Sequence, residues 1–394
     1  MTAAWFVPGR IEVFGTHTDY AGGNSLVAAV DHGLTVRVRP GGGGRFTATS
    51  DQGEPVELDP TRPADLAPGH WGRYVHTVLR RLTDDFGPLR PARITIESNL
   101  PLASGMSSSS ALLVGVALAL IDVGGLRDTD AWRQAITDEL DLPAYLASVE
   151  NGSGFKQLTG GTGVGTNGGS HDHTAILRGV EGHLLHLNFN PMRQVASVPV
   201  PEGWQFVVAT SGVLAEKTGA VLADYNRCAA EAREIVARSG LDAPNLAAVI
   251  DALGTGDVRA LVADSEPLAR RLGHFLLESD LVVPAAIGAL ERADHGEFGE
   301  IAARSQAAAE TLLRNQIPET SGLVASATSM GAWAAASFGA GFGGSVWALV
   351  PAADADRFAG EWMADYARRF PDAGSRALAV ATTPSRAARR LEQG

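Results

Sequence analysis

Three short stretches of this chain combine residue types that handle anions, polyols and protons. The first is Pro101-Leu102-Ala103-Ser104-Gly105-Met106-Ser107-Ser108-Ser109-Ser110. It follows the alternating segment Ala92 to Glu97 and runs at once into the apolar segment Ala111 to Ile121. A strand, a Gly/Ser loop and a helix together make an anion site. The first N–H groups of the helix are unpaired and point into the loop, where the helix dipole favours negative charge. Small side chains let phosphate oxygens reach backbone, and serine hydroxyls add hydrogen bonds and can ligate Mg²⁺. No Gly-Lys-Ser/Thr follows, so this is not a Walker A loop. The same pattern also fits a buried helix that is simply capped by serine.

The second stretch runs from Gly9 to Gly23 and carries Arg10, His17, Asp19 and Tyr20 between glycines. Carboxylates accept hydrogen bonds from vicinal hydroxyls, and imidazole or guanidinium donates them, so the set suits a polyol. It also suits a solvated turn with incidental charges. The third stretch, Gly168-Gly169-Ser170-His171-Asp172-His173, offers a carboxylate between two imidazoles. On an extended chain His171 and His173 would share a face and could hold a metal with Asp172, but no third ligand is evident elsewhere.

Glycine is abundant, at 46 residues. It clusters in Gly9–Gly23, Ser104–Ser110, Gly160–Gly169 and Gly339–Gly344. Such clusters weaken helices and strands and mark places where backbone turns sharply or approaches a ligand. Four of them along one chain point to one composite site. Gly41–Gly44 reads as a hairpin tip.

The elements that must position these loops read as mixed. Strands are expected at Leu34–Val38, Ala92–Glu97, Trp204–Ala209, Ser345–Val350 and Ala377–Thr382. Helices are expected at Tyr74–Leu82, Ala111–Ile121, Lys217–Ser239, Asn245–Leu272 and Ala355–Phe370. A further helix, Ala131–Glu150, breaks at Asp141-Leu142-Pro143. There is no βαβα alternation, so the fold class is α+β. The 394 residues suggest two domains, here 1–195 and 196–394, parted where Asn190-Pro191 and Pro199 to Gly203 interrupt the pattern.

Hydrophobic residues are 45% and charged residues 19%, an ordinary globular composition. Lys and Arg number 32 against 44 Asp and Glu, a net charge of −12. That sign argues against nucleic acid or an anionic membrane as partner. The longest apolar run, Ala111 to Ile121, falls short of the roughly 20 residues that span a bilayer. The lone Cys228 excludes disulfides and Cys-rich zinc sites and reads as a packing residue in a reducing compartment. No basic-then-apolar leader opens the sequence, so a cytoplasmic protein is expected, with monomer and homodimer both open.

Pro-x-x-x-Gly-Met-Ser-Ser-Ser, as it stands at 101 to 109, resembles the second motif of the GHMP kinases. Pro8-Gly9-Arg10-Ile11-Glu12-Val13-Phe14-Gly15-Thr16-His17-Thr18-Asp19-Tyr20 is similar to the galactokinase signature. Gly339-Ala340-Gly341-Phe342-Gly343-Gly344 resembles the third GHMP motif, and the three occur in family order. The resemblance implies a two-domain GHMP kinase fold, an N-terminal ribosomal-S5-like domain followed by a C-terminal α+β domain, with ATP and a sugar bound between them. It implies transfer of phosphate to the sugar's anomeric hydroxyl. By the same resemblance Arg10 stabilises the transferring group, and His17, Asp19, Gly169 and Tyr225 hold the sugar. Asp172, three residues after Gly169, is the implied general base and also contacts the sugar. Ser104, Gly105, Ser107, Ser108, Ser109 and Ser110 form the ATP loop, and Ser109 with Glu150 holds Mg²⁺.

The chain departs from the pattern in three ways. His173 stands where a Gln usually follows the Asp, and the Gly160–Gly169 stretch is longer than usual. A third departure bears on the substrate. Thr16 replaces the Glu that reads the C6 hydroxyl, which favours a pentose, a 6-deoxy sugar or a uronic acid over D-galactose. A sugar- and ATP-binding sensor without turnover, and a GHMP kinase for a non-sugar acceptor, are the alternatives.

Overall fold

The computed structural model describes residues 2–41, 43–100, 105–166, 168–213 and 219–392. Two long strands, β1 (Ala3–Phe14) and β2 (Asn24–Pro40), pair antiparallel from Ala3 opposite Val38 to Phe14 opposite Leu26. They are the spine of an eight-stranded sheet. On one side of β2 lie β5 (Ala92–Ser98), β3 (Phe46–Ser50) and β4 (Gly53–Leu58), in that order. The far half of β2 carries β6 (His183–Phe189), which pairs with β7 (Met192–Pro199). β5 inserts between β2 and β3, so Gly41–Gly44 is a crossover connection rather than a hairpin tip. β2 and β3 pair with opposite edges of β5, so the link between them cannot close a hairpin.

Helix α1 (Gly72–Phe86) and helix α2 (Ser108–Gly124) pack together, and α2 lies on β1 and β2. α2 is apolar on every side, the signature of a helix enclosed all round. Its Gly115 meets β2 so closely that a Cβ would lie 2.6 Å from Val36 Cγ2. The expected helix at 131–150 is two helices, α3 (Asp130–Ala135) and α4 (Asp141–Asn151). The break precedes Asp141, and Pro143 sits in the first turn of α4, where its missing N–H costs no hydrogen bond. Helix α5 (His171–Arg178) follows the long glycine-rich connection.

The second sheet has four strands in the order β11-β8-β10-β9: β8 (Trp204–Thr210), β9 (Ala334–Phe338), β10 (Ser345–Pro351) and β11 (Ala379–Thr382). Sheet membership changes between Pro199 and Trp204, so a division at 195 would fall inside β7. The chain's end returns to the first sheet, where β12 (Arg389–Arg390) pairs with β1. The two sheets share one core. Ile11, Val13 and Phe14 cluster with Phe206, Val208, Phe298 and Trp347, and Phe14 meets Trp347 edge-on at 5.7 Å. The alternate residues Val207 and Ala209 face a second core against Phe358 and Trp362, the period-two division of a strand.

Helix α6 spans Gly219–Ser239. The expected helix at 245–272 is three pieces: α7 (Leu246–Leu253), α8 (Thr255–Leu261) and α9 (Glu266–Leu277). Gly254 and the Ser265-Glu266-Pro267 start of α9 separate them. Their apolar faces enclose Ala21, which braces the turn after β1 from behind. The helical stretch Glu266–Glu291 is long and apolar enough to cross a membrane, and over half of its apolar window is buried inside the protein.

Candidate active site

Glycine density makes Gly9–Gly23 read as a loop throughout, but Arg10 is on strand β1. The turn proper begins at Gly15, whose φ is +94° and where a Cβ would stand 2.4 Å from Ser25 Cα. On β1 the side chains of Arg10 and Glu12 share a face, two residues apart, while Ile11 points into the core. The turn is pinned by the Thr18 hydroxyl, which donates to Gly15 O at 2.7 Å, and it presents Asp19 to the same space.

Two helix starts converge on that face. Ser107 precedes α2 in a left-handed conformation (φ +54°) and does not cap the helix with its side chain. Its hydroxyl donates instead to Asp172 Oδ2, leaving the first N–H groups of α2 to a ligand. Asp172 lies in the first turn of α5. Arg10 grips it bidentately, with Nε 2.6 Å from Oδ1 and Nη2 3.1 Å from Oδ2, and its Nη1 donates to Gly105 O at 2.7 Å. One guanidinium thus ties the serine loop to the carboxylate. His171 completes the cluster, with Nε2 2.6 Å from Asp172 Oδ1 and Nδ1 3.0 Å from Asp19 Oδ2.

Burial by itself would raise Asp172, but Arg10 and His171 outweigh it and hold the carboxyl well below the usual range. Burial likewise opposes protonation of His171, and Asp19, Asp172 and Glu12 overcome it, pushing the imidazole well above its ordinary value. Glu12 goes the other way. Burial raises it despite His171 and Arg10; its carboxylate accepts from Gly339 N at 3.0 Å, and its Oε1 has no hydrogen-bond partner among the described residues.

These groups floor a cavity of about 470 Å³. Ser107, Ser108 and Ser109 lie on one side, and the β9–β10 turn at Gly339–Gly344 on another. His70, Arg73 and Tyr74 stand at its far end. Such a cavity can hold a phosphate chain at the α2 start and a polyol at Asp19, with Asp172 between them.

A model described as the galactokinase galactose-binding signature matches residues 2–40. The GHMP kinase N-terminal domain model matches residues 73–151, and the C-terminal model residues 286–368. A relative from Streptomyces coelicolor, named galactokinase, is 30% identical in an alignment of 403 positions that covers 98% of this chain and 94% of its own length. The chain belongs to the galactokinase family. A galactokinase of Mycobacterium bovis is 29% identical, covering 89% of this chain and 90% of itself. The structure of Lactococcus lactis galactokinase complexed with galactose has the same fold, with a TM-score of 0.81 at 24% identity over 99% of this chain and 95% of that one. The Methanococcus jannaschii mevalonate kinase, at 15% identity, aligns with a TM-score of 0.59 over 98% of each chain. The two-domain GHMP kinase fold is thereby established.

Arg10, Asp19, Gly169 and Asp172 line one cavity, with Gly105 and Ser107–Ser109 around it. Ser104 lies outside the described residues, as does the side chain of Tyr225 on α6. His17 lines the cavity, but both ring nitrogens have protein partners: Nδ1 is 2.8 Å from the Tyr20 hydroxyl, and Nε2 is 3.2 Å from Ala340 O. The carbonyl requires an Nε2–H, so Tyr20 donates to Nδ1. Burial and the nearby Arg271 push His17 down to about 4, so it is neutral at pH 7. Thr16 is buried and does not line the cavity.

Glu150 faces a small adjoining cavity of about 30 Å³ that shares Thr166, Gly168, Gly169 and Asp172 with the large one. The hydroxyl placed on its carboxylate is that of Ser110, at 2.9 Å, whereas Ser109 faces the large cavity. His173 Nε2 lies 3.1 Å from the same carboxylate oxygen, Oε2. Carboxylate and hydroxyl oxygens beside room for one ion fit a hard cation such as Mg²⁺. α5 is helical, so His171 and His173 diverge instead of sharing a face. Among the described residues no cluster of three or more His, Cys, Asp or Glu side chains is arranged around a metal. Cys228 is buried, and burial pushes its thiol up, which makes it unreactive.

Two residues escaped the sequence reading in their present roles. Glu12 was legible from the Arg10-Ile11-Glu12 alternation, had the segment been read as a strand. On an extended chain His171 reads only as a metal ligand; the helix α5 turns it toward Asp19.

Gly169 has a measurable role. A Cβ there would lie 2.3 Å from Asp19 Oδ2 and 3.0 Å from Tyr20 N. Gly169→Ala should displace Asp19 and lower kcat/KM for the sugar by about 10²-fold. Steady-state kinetics should show the loss in the sugar constants, with the ATP KM little changed.

Proposed function

We propose that the protein transfers the γ-phosphoryl group of ATP to the anomeric hydroxyl of a galactose-like sugar. The observation that carries this is Asp172, held by Arg10, Ser107 and His171 where the serine loop meets the Asp19 turn. Backbone N–H groups at Ser107–Ser109 receive the phosphates. Arg10, fixed on Gly105 O and Asp172, faces the transferring group as its charge spreads. Asp172 is ionised at neutral pH, so it orients the sugar hydroxyl and takes its proton as the new P–O bond forms and the bond to ADP breaks. Glu150 and Ser110, which line the small cavity, would hold Mg²⁺ there, in place of Ser109, which faces the large cavity. Mg²⁺ supplies neutralising charge to the phosphate oxygens. Asp19, Gly169 and His17 line the sugar subsite, with Tyr225 assigned to it by the family pattern.

The acceptor preference is shifted away from D-galactose in this reading. Thr16 brings no charge to the turn. Glu278, packed behind the turn, is turned inward, accepting from Gly15 N at 3.0 Å and from the Ser305 hydroxyl. Losing a charged partner for one hydroxyl costs about 1.5–3 kcal/mol, enough to bring acceptors lacking that hydroxyl level with galactose. A working site of neutral pH in a reducing cytoplasm fits the buried thiol.

The test is ATP consumption with Mg²⁺ and galactose, arabinose, fucose, galacturonate, glucose, galactosamine or mevalonate. Turnover is expected on a galactose-configured sugar, with arabinose, fucose or galacturonate at least equal to galactose. Galactose preferred by a wide margin would sink the shift and keep the kinase. Turnover on mevalonate alone, or on nothing while sugar still binds, would contradict the reading.

A further inference from the structure

His171 sits between two carboxylates that have different tasks. Its Nε2 is 2.6 Å from Asp172 Oδ1, and its Nδ1 is 3.0 Å from Asp19 Oδ2, the second contact lying off the straightest line for a hydrogen bond. The ring lines the cavity, and its side chain is 12% exposed. A neutral imidazole carries one N–H and one lone pair. With a carboxylate oxygen at each nitrogen, the neutral ring would turn its lone pair on one of them. Only the imidazolium attracts both.

The surrounding charges agree. The groups that face His171 are Asp19 and His17 on the turn after β1, Arg10 and Glu12 on β1, and Asp172 on its own helix. His17 is neutral. Arg10 and an imidazolium balance Asp19 and Asp172, whereas a neutral ring would leave a buried carboxylate without its counter-charge. Glu12 on β1 adds a third acid to the cluster and favours the charged ring further.

We propose that His171, as an imidazolium, is a positioning residue of the transfer reaction: it fixes the separation of Asp19 and Asp172, and with it the separation of the two sugar hydroxyls they receive. It rests on the sugar-kinase reading above. His171 touches the carboxylates rather than the reacting oxygen and sets where that oxygen stands. Its deprotonation releases Asp19 from Asp172, so sugar binding and transfer fail together.

Two measurements test this. In ¹⁵N-histidine NMR of the intact wild-type protein at pH 7.5, the His171 ring should show two protonated nitrogens; a neutral ring would overturn the proposal, whatever the substrate. In kinetics, kcat/KM for the sugar should fall on an alkaline limb whose midpoint lies well above the ordinary histidine value of about 6.5. His171→Gln keeps a hydrogen-bonding side chain but does not titrate. It should lower kcat/KM for the sugar at pH 7 by about tenfold, the effect of one 1.4 kcal/mol interaction. It should also abolish the alkaline limb and leave the ATP KM within about threefold. A variant that only loses thermal stability and keeps the limb would overturn the role. If no sugar is turned over at all, the kinase reading fails while the NMR result still decides the charge of His171.

Discussion

Asp172→Asn should lower kcat by about 10²–10⁴-fold and leave sugar binding largely intact. The amide has nearly the shape of the carboxylate but lacks its charge, and it cannot take the hydroxyl proton. Arg10, Ser107 and His171 all direct a donor at Asp172. An amide nitrogen must face one of these donors, so Arg10 or His171 loses its counter-charge inside the protein. Removing one partner of a buried pair costs about 3–5 kcal/mol, so the variant should also melt earlier and is best assayed well below its midpoint. Calorimetric sugar binding beside turnover separates the two effects. Activity near wild type would show that Asp172 is not the group that receives the proton.

Arg10→Ala is expected to cost about 10³-fold or more in kcat, the scale seen when an arginine facing a transferring phosphoryl group is lost. Its guanidinium donates to Asp172 twice and to Gly105 O, so one side chain holds both halves of the site in register. Arg10→Lys should recover little, because a single ammonium cannot span the carboxylate and the carbonyl together. The losses should not add. Once either partner is gone the other is misplaced, so the double variant with Asp172→Asn should be no slower than the worse single variant within about tenfold. Turnover numbers for both singles and the double check this. Multiplicative losses would mean that the two residues act independently.

Much of the fold was legible because its signals are local. The apolar run at 111–121 could only be an enclosed helix, and β8, β10 and the helix Ala355–Arg369 stand within a few residues of where periodicity puts them. What stayed hidden depends on contacts distant in sequence. Nothing near Gly41–Gly44 shows that β5 will insert beside β2, because that pairing joins segments some fifty residues apart. Arg10 read as a loop residue because the glycines around it belong to two different features. Gly9 packs under Leu100 and Met106 at a strand position, and Gly15 makes the turn. Gly254 and Pro267 are breaks that periodicity alone passes over, which is how one long helix became three.

The site divides in the same way. The serine loop was legible from chemistry within one segment. The meeting of Arg10 with Asp172, 162 residues apart, was reached through resemblance. The pairing of Glu150 with Ser110 depends on the rotation of α2, and the sequence presents four consecutive serines as equals. His171 was obscured by a wrong period. Once α5 is a helix, its first turn carries His171 toward Asp19 and His173 toward Glu150.

The central claim is that the Asp172–Arg10 pair directs phosphate to an anomeric oxygen. It is tested most directly by phosphorus NMR of the product formed from ATP and the best sugar of the panel, with the coupling read at the anomeric proton. The account predicts a sugar 1-phosphate formed in equal amount to ADP. Phosphate on any other sugar oxygen, or ADP released with free phosphate and no sugar phosphate, would contradict it.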